Sequence, residues 1–300
     1  MSEISNRPKD TAFRQQRLKA FKPVHTAKSS ALIFLGSSLI FFTFGILLYV
    51  ECNNQKEYWT TYDHCNIDEP CSVKLQISST MQHPVYVYYQ LTNFYQNHRL
   101  YVKSKSYTQL RGDKPSSTEL ENCKGARYNK DFTGYYKGKT LDPDTTARPC
   151  GLIARSVFND TFTIEGYDID TEDITTETDR KMFKSVDKSK EWTNMNEKFI
   201  NWMKIAPLPT FRKLYGAIRK DVESEEITIN VGNHYDVSEW DGEKAIVLST
   251  SGMFGGKNIV LGVVFITAGV FCFVCSLVFT SAALFCKQKW VDQDPRSWKF

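Results

Sequence analysis

Between Lys257 and Lys287 lies a stretch, Asn258 to Cys286, of twenty-nine residues without an acidic or basic side chain. At ~1.5 Å rise per residue it would extend over ~40 Å as a helix. That exceeds the ~30 Å hydrocarbon core of a bilayer and predicts a tilted transmembrane helix. Ser29 to Val50, flanked by Lys28 and Glu51, is a second uncharged run of twenty-two residues and is also long enough to span. The two runs divide the chain into a leader (1–28), a first span (29–50), a domain confined to one side of a membrane (51–257), a second span (258–286) and a tail (287–300). The first run is longer than a typical signal h-region, and no small-x-small cleavage site follows before Tyr49-Val50-Glu51, so it reads as an uncleaved signal anchor.

Charge sets the orientation. The leader has seven Lys/Arg against Glu3 and Asp10, and the tail has four against Asp292 and Asp294. Both ends are therefore basic, and the positive-inside rule places both in the cytosol. With +5 in the leader and +2 in the tail, the formal +4 leaves −3 for residues 51–257. Basic charge concentrated beside the membrane favours contact with anionic lipid heads and argues against a nucleic-acid protein.

The 51–257 segment is large enough to bury its own core. It contains Cys52, Cys65, Cys71, Cys123 and Cys150. A lumenal or extracellular compartment is oxidising, so two disulfides are expected; local spacing favours Cys65 with Cys71 and Cys123 with Cys150, while other connectivities stay open. Cys52 is left over as an expected free thiol. Alternating apolar residues at Val73, Leu75 and Ile77, and at Val85 and Val87, predict half-buried strands, with further strands over 161–165, 226–231 and 245–248. Met195, Phe199, Trp202 and Met203 have helical spacing within 192–204, and 211–219 is read as another short helix. Residues 111–149 read as long loops clipped by a disulfide, and 171–187 as an acidic solvated loop. The segment is thus a mainly β ectodomain with a helical excursion.

Catalytic patterns are absent from the sequence. Gly138-Lys139-Thr140 lacks the upstream glycine of a phosphate loop, since Thr133 stands there. His25, His64, His83, His98 and His234 are dispersed without metal-site spacing. Cys272-x-x-Cys275 lies inside the second span, where inert thiols are expected, and Cys286 at its edge is an ordinary thiol or a palmitoylation site. No cofactor is implied. Arg111-Gly112-Asp113, an adhesion tripeptide in form, is more simply a turn. Asn159-Asp160-Thr161 is the sole N-glycosylation sequon and lies on the side where glycans are added.

Neither span contains an ionisable pathway residue, so both look built to pack rather than to conduct. Gly262, Gly269, Ser276 and Ala283 recur every seven residues and line one helix face, where another helix can approach closely. A two-span ion-channel subunit shares this topology and is the competing reading, but it calls for polar pore-lining positions.

Longer strings bring a family into view. Tyr88-Tyr89-Gln90-Leu91-Thr92-Asn93-Phe94-Tyr95-Gln96-Asn97-His98-Arg99, followed by Tyr101-Val102-Lys103-Ser104, resembles the signature of the cell cycle control protein 50 (ligand-effect modulator) family. The same order continues with Pro149-Cys150-Gly151 before the sequon, Leu208-Pro209-Thr210-Phe211-Arg212-Lys213-Leu214-Tyr215, and Gly255-Gly256-Lys257-Asn258. Asp10 to Arg17 in the leader is similar too. The resemblance covers nearly the whole chain. It implies an antiparallel β-sandwich with long loops and short helices, carried on two transmembrane helices. It also implies the role of a non-catalytic β subunit, in a heterodimer with the catalytic subunit of a type-IV P-type ATPase, a phospholipid flippase. That role includes assembly, exit from the endoplasmic reticulum and support of the lipid transport cycle, in the endoplasmic reticulum, Golgi, endosome or plasma membrane. The nucleotide and phosphoryl chemistry would belong to the partner. On this resemblance, Asn97, His98, Arg99, Phe211, Arg212 and Tyr215 are candidate partner contacts, and the Gly262–Ala283 stripe would face an ATPase helix. Many animal members have a second closely spaced Cys pair after the first span and several sequons; this chain has one of each.

Overall fold

The computed structural model describes residues 9–15, 18, 26–132, 141–185, 188, 190–252 and 254–285. It divides into two compact units, one holding the two long helices and the other spanning Val50–Ile259. Gly138-Lys139-Thr140, Cys286 and the tail lie outside the described residues, as does most of the leader.

Helix α1 covers Ala27–Asn54 and so extends four residues past the uncharged run. Thr26 and Ser29 cap its start reciprocally: the Ser29 amide donates to Thr26 Oγ1 at 3.2 Å and the Thr26 amide to Ser29 Oγ at 3.0 Å. The last helix covers Ile259–Phe285, and both helices are long and apolar enough to cross a membrane. They run antiparallel. A Cβ at Gly262 would sit 2.9 Å from the Tyr49 amide nitrogen, and one at Gly269 would sit 3.3 Å from that of Phe42. Gly45 answers from the other side, where a Cβ would meet Ile266 at 2.8 Å. Ser276 Oγ donates to the Ala31 carbonyl at 2.9 Å, and Phe34 stacks on Phe279 at 5.6 Å. The stripe expected to receive a partner's helix therefore receives the chain's own first helix, because only small side chains permit this backbone approach. Ala283, at the end of the stripe, is half-buried.

The second unit alternates strands with short helices. In chain order these are β1 (Glu57–Thr61), β2 (Pro70–Gln76), β3 (Val85–Leu91), α2 (Arg99–Lys103), α3 (Tyr107–Leu110), α4 (Ser117–Leu120) and α5 (Leu152–Arg155). Then come β4 (Thr161–Ile164), α6 (Glu177–Met182), α7 (Glu197–Met203), β5 (Phe211–Ile218), β6 (Glu226–Gly232), β7 (Lys244–Ser249) and the long helix α8. Two antiparallel sheets form, ordered β1-β7-β3-β5 and β2-β6-β4. The inward residues of both join one core: Val73 and Leu75 from β2, Val87 and Tyr89 from β3, Phe162 from β4, Ile229 from β6 and Ile246 from β7. Alternation along β2 and β4 leaves their other face polar and exposed.

Three local expectations change. Residues 211–218 form strand β5, not a helix. Phe211, Leu214, Tyr215 and Ile218 satisfy a helical i, i+3, i+4, i+7 pattern by composition, but pairing with β3 from Leu91↔Phe211 to Val85↔Ile218 decides the conformation. Helix α7 begins at Glu197 rather than near Trp192, because the Asn196 side chain caps it by accepting the Phe199 amide hydrogen bond at 3.0 Å. The 111–149 and 171–187 segments contain α4 and α6 within their loops. The sulfurs pair as Cys65–Cys71 and Cys123–Cys150, and Cys52 is a buried free thiol. Arg111-Gly112-Asp113 is the C-terminal turn of α3. Gly112 has φ +89°, and the Asp113 amide reaches back to the Thr108 carbonyl at 2.9 Å.

The helix packing yields a first prediction. Gly262→Leu with Gly269→Leu lowers the melting temperature of the detergent-purified chain by more than Val263→Leu with Val270→Leu, because the two valines are exposed on α8. Equal shifts would mean that the small-residue face does not hold the two helices together.

Candidate functional site

Two of the strings that carry the resemblance, 88–104 and 208–215, meet at one ring. The centroid of Phe94 lies 5.1 Å from Trp240, 5.7 Å from Tyr101, 5.9 Å from Trp202 and 6.1 Å from Phe211. All four contacts are edge-to-face, an arrangement that adds ~0.5–1.5 kcal/mol per pair beyond burial. The polar tips of Trp202 and Tyr101 are satisfied, whereas the buried Trp240 Nε1 has no hydrogen-bond partner among the described residues. Trp202 Nε1 donates to the Ile153 carbonyl at 2.7 Å, and the Tyr101 hydroxyl meets Ser156 Oγ at 2.7 Å. Burial pushes the Tyr101 phenol well above its ordinary range.

Backbone contacts lock the same strings together. The Phe94 amide donates to the Pro209 carbonyl at 3.0 Å, the Ala206 amide to Gln96 Oε1 at 2.9 Å, and Asn97 Nδ2 to the Pro207 carbonyl at 2.9 Å. The Leu152 amide donates to Ser104 Oγ at 2.9 Å. Gly151 has φ +111°, and any Cβ there would collide with the Ser104 carbonyl, so the glycine of Pro149-Cys150-Gly151 is required by close backbone approach.

The candidate contact residues fall on different sides of this arrangement. Phe211 is 7% exposed and Tyr215 5% exposed, both facing inward from β5, and Lys198 Nζ covers the Tyr215 ring at 3.6 Å. They are thereby withdrawn from the surface a partner can touch. Arg212 points the other way, bonding Gln90 Oε1 and Glu57 Oε2 at 2.8 Å each across three strands of one sheet. Asn97, His98 and Arg99 are exposed. Beside them stand Tyr95 at 57%, Leu100 at 69% and Leu208 at 64% exposure, which sequence reading did not single out. The signal was present: large apolar residues flank a polar triplet, and two prolines bracket Leu208.

Asp160, inside the sequon, is a buried carboxylate that accepts four hydrogen bonds. Its Oδ1 accepts the amides of His234 and Tyr235 at 2.6 Å each. Its Oδ2 accepts from the Tyr62 hydroxyl at 3.0 Å and from Lys244 Nζ at 2.9 Å. Lys244 also donates to Asn233 Oδ1 and the Tyr235 carbonyl. Both ions are buried. Burial lowers the Lys244 ammonium and the Asp160 charge opposes that shift. Lys213, also buried, donates Nζ to the carbonyls of Asn201, Trp202 and Lys204, capping the end of α7. Burial first, and then the Lys204 charge, pull it from near 10.5 to about 7.

Metal-binding groups are sparse. His64, Cys65 and Cys71 lie within 4.8 Å of one another, the sole such grouping of three among the described residues, but both sulfurs are committed to the disulfide. Residues 41–289 match the LEM3 (ligand-effect modulator 3) family / CDC50 family. The chain belongs to this family. It is 35% identical to the ALA-interacting subunit 3 of Arabidopsis thaliana, over 98% of this chain and 91% of that protein. It is 32% identical to the mouse cell cycle control protein 50A, covering 91% and 88% respectively. It is 27% identical to the phospholipid-transporting ATPase accessory subunit LEM3 of Saccharomyces cerevisiae, covering 98% and 87%.

In this chain the strings that carry the resemblance mainly build the core, and the exposed Tyr95, Asn97, His98, Arg99 and Leu100, beside Leu208, are their surface outcrop. Lys244→Met strips Asp160 of its counter-ion and lowers unfolding free energy by about 3–5 kcal/mol, measurable by chemical denaturation in detergent; a loss below about 1 kcal/mol would mean the pair is dispensable. Lys213 gives a pH signature. Because its folded value lies below its unfolded one, the unfolded chain binds more protons from about pH 7 to 10.5. Its contribution is full above that window and is lost as pH falls to about 7. The stability of the wild type relative to Lys213→Met therefore rises with pH between 7.5 and 9.5, by at most about 1.4 kcal/mol per unit. A flat difference would show that the ammonium stays charged throughout.

Proposed function

We propose that this protein is the non-catalytic accessory subunit of a phospholipid-translocating type-IV P-type ATPase, bound to the catalytic subunit as a heterodimer. The supporting observation is that similarity to a protein named as a phospholipid-transporting ATPase accessory subunit extends over 98% of this chain, including both apolar helices. A relationship of that length transfers more than a shared domain does. In this reading both basic termini are cytosolic, the β domain is lumenal or extracellular, and Asn159 bears a glycan. The subunit assists assembly and exit of the ATPase from the endoplasmic reticulum and supports its lipid transport cycle. The ATPase supplies the nucleotide chemistry.

The exposed strip of Tyr95, Asn97, His98, Arg99, Leu100 and Leu208 is the partner-facing surface in this proposal. Aromatic and arginine side chains beside apolar ones are the composition of interface hot spots. The test is co-purification. Tagged full-length chain, co-expressed with type-IV ATPases of its own cell, retains at least one of them in mild detergent. Arg99→Glu with Leu208→Glu lowers that recovery at least fivefold while leaving the melting temperature of the chain unchanged. Failure to retain any ATPase would overturn the function, and undiminished recovery with the double variant would remove the surface.

A further inference from the structure

Asn159 stands on the wall of a groove. The cavity, about 690 Å³, is lined by the 157–161 segment, by residues of the 192–199 segment, and by Asp68 and His234. Its size lies within the ~300–1,000 Å³ of sites that hold small organic ligands. The lining has two characters, apolar side chains (Val157, Phe158, Trp192, Phe199) interleaved with amide, hydroxyl and charged groups (Thr193, Asn194, Lys198). A pyranose has the same two characters, an apolar C–H face and a hydroxyl rim.

The position of Asn159 is set by its neighbours. Phe158 stacks on Tyr89 with centroids 3.8 Å apart, and Asp160 is held by the four hydrogen bonds described above. Both flanking residues are thus anchored, so the exposed Asn159 side chain projects from a rigid backbone and itself lines the groove. A sugar attached to its amide starts inside the groove rather than on a mobile loop. We infer that the first sugars of an N-glycan on Asn159 occupy this groove, held by the Val157–Phe158 and Thr193–Asn194 segments. The inference rests on the glycosylation of Asn159 contained in the proposed function. Tethering makes the association intramolecular, so weak contacts suffice to hold the sugars. The glycan thereby joins the segment before β4 to the segment before α7.

Peptide-N-glycosidase F, which must reach the first sugar, tests this on the full-length chain made in eukaryotic cells and held in mild detergent. A control glycan is introduced by Thr176→Asn, which makes an exposed sequon with Glu177 and Thr178 and keeps a capping side chain on α6. The expected result is release from Asn159 at least tenfold slower than from the control site in the native protein, with equal rates after denaturation. Thr193→Ala with Asn194→Ala is expected to raise the native rate at Asn159 at least threefold. Native release as fast as from the control overturns the inference, as does a rate that the double variant leaves unchanged. Absence of any mass shift at Asn159 after denaturation overturns the glycosylation reading itself, and the groove with it.

Discussion

One buried carboxylate ties the β domain together. Asp160 immediately precedes β4 and binds Tyr62 just after β1, the amides of His234 and Tyr235 just after β6, and Lys244 at the start of β7. Strands β4 and β6 belong to one sheet, β1 and β7 to the other. Hydrophobic burial brings two sheets face to face but is indifferent to small shifts between them; a charge that must be neutralised and fully hydrogen-bonded is not. The pair therefore fixes how the strand ends meet, and it does so at a residue lying within the sequon.

The aromatic cluster around Phe94 performs a comparable task farther along the same core. It draws together residues more than a hundred positions apart, from Phe94 to Phe211 and Trp240. Lys213, on strand β5 against the end of α7, shows what the arrangement costs: an amine is taken out of water to satisfy carbonyls that the end of a seven-residue helix leaves open. In the helical unit the organising constraint is different. Lipid offers no hydrophobic drive for helix pairing, so close approach at Gly45, Gly262 and Gly269 and the Ser276 hydrogen bond must supply it.

Legibility followed the range of the interaction. The β2 and β4 strands were readable because alternation is local, and the two long helices because length and apolarity are local too. Strand β5 was misread because its apolar residues fall at helical spacing while Lys213 interrupts the alternation, and β1 was missed because Glu57–Thr61 is short and mostly polar. The candidate surface was half visible. Asn97, His98 and Arg99 are exposed, whereas Phe211 and Tyr215, equally prominent in the family strings, face the core. A string that resembles a family's signature does not distinguish a residue that contacts a partner from one that packs the fold.

The sequence by itself determined the two long apolar helices, a mainly β domain between them, and membership of a family, since each depends on composition, period or contiguous strings. Only the tertiary structure decided which partner each small or charged residue meets. The four small residues spaced by seven along α8 could accept any helix, and they accept α1 because the two lie antiparallel within one chain. Asp160 looked like the spacer of a sequon until folding set Lys244, eighty-four positions away, against it. Pairings across such separations are chosen by the simultaneous packing of the whole core, which no local pattern encodes.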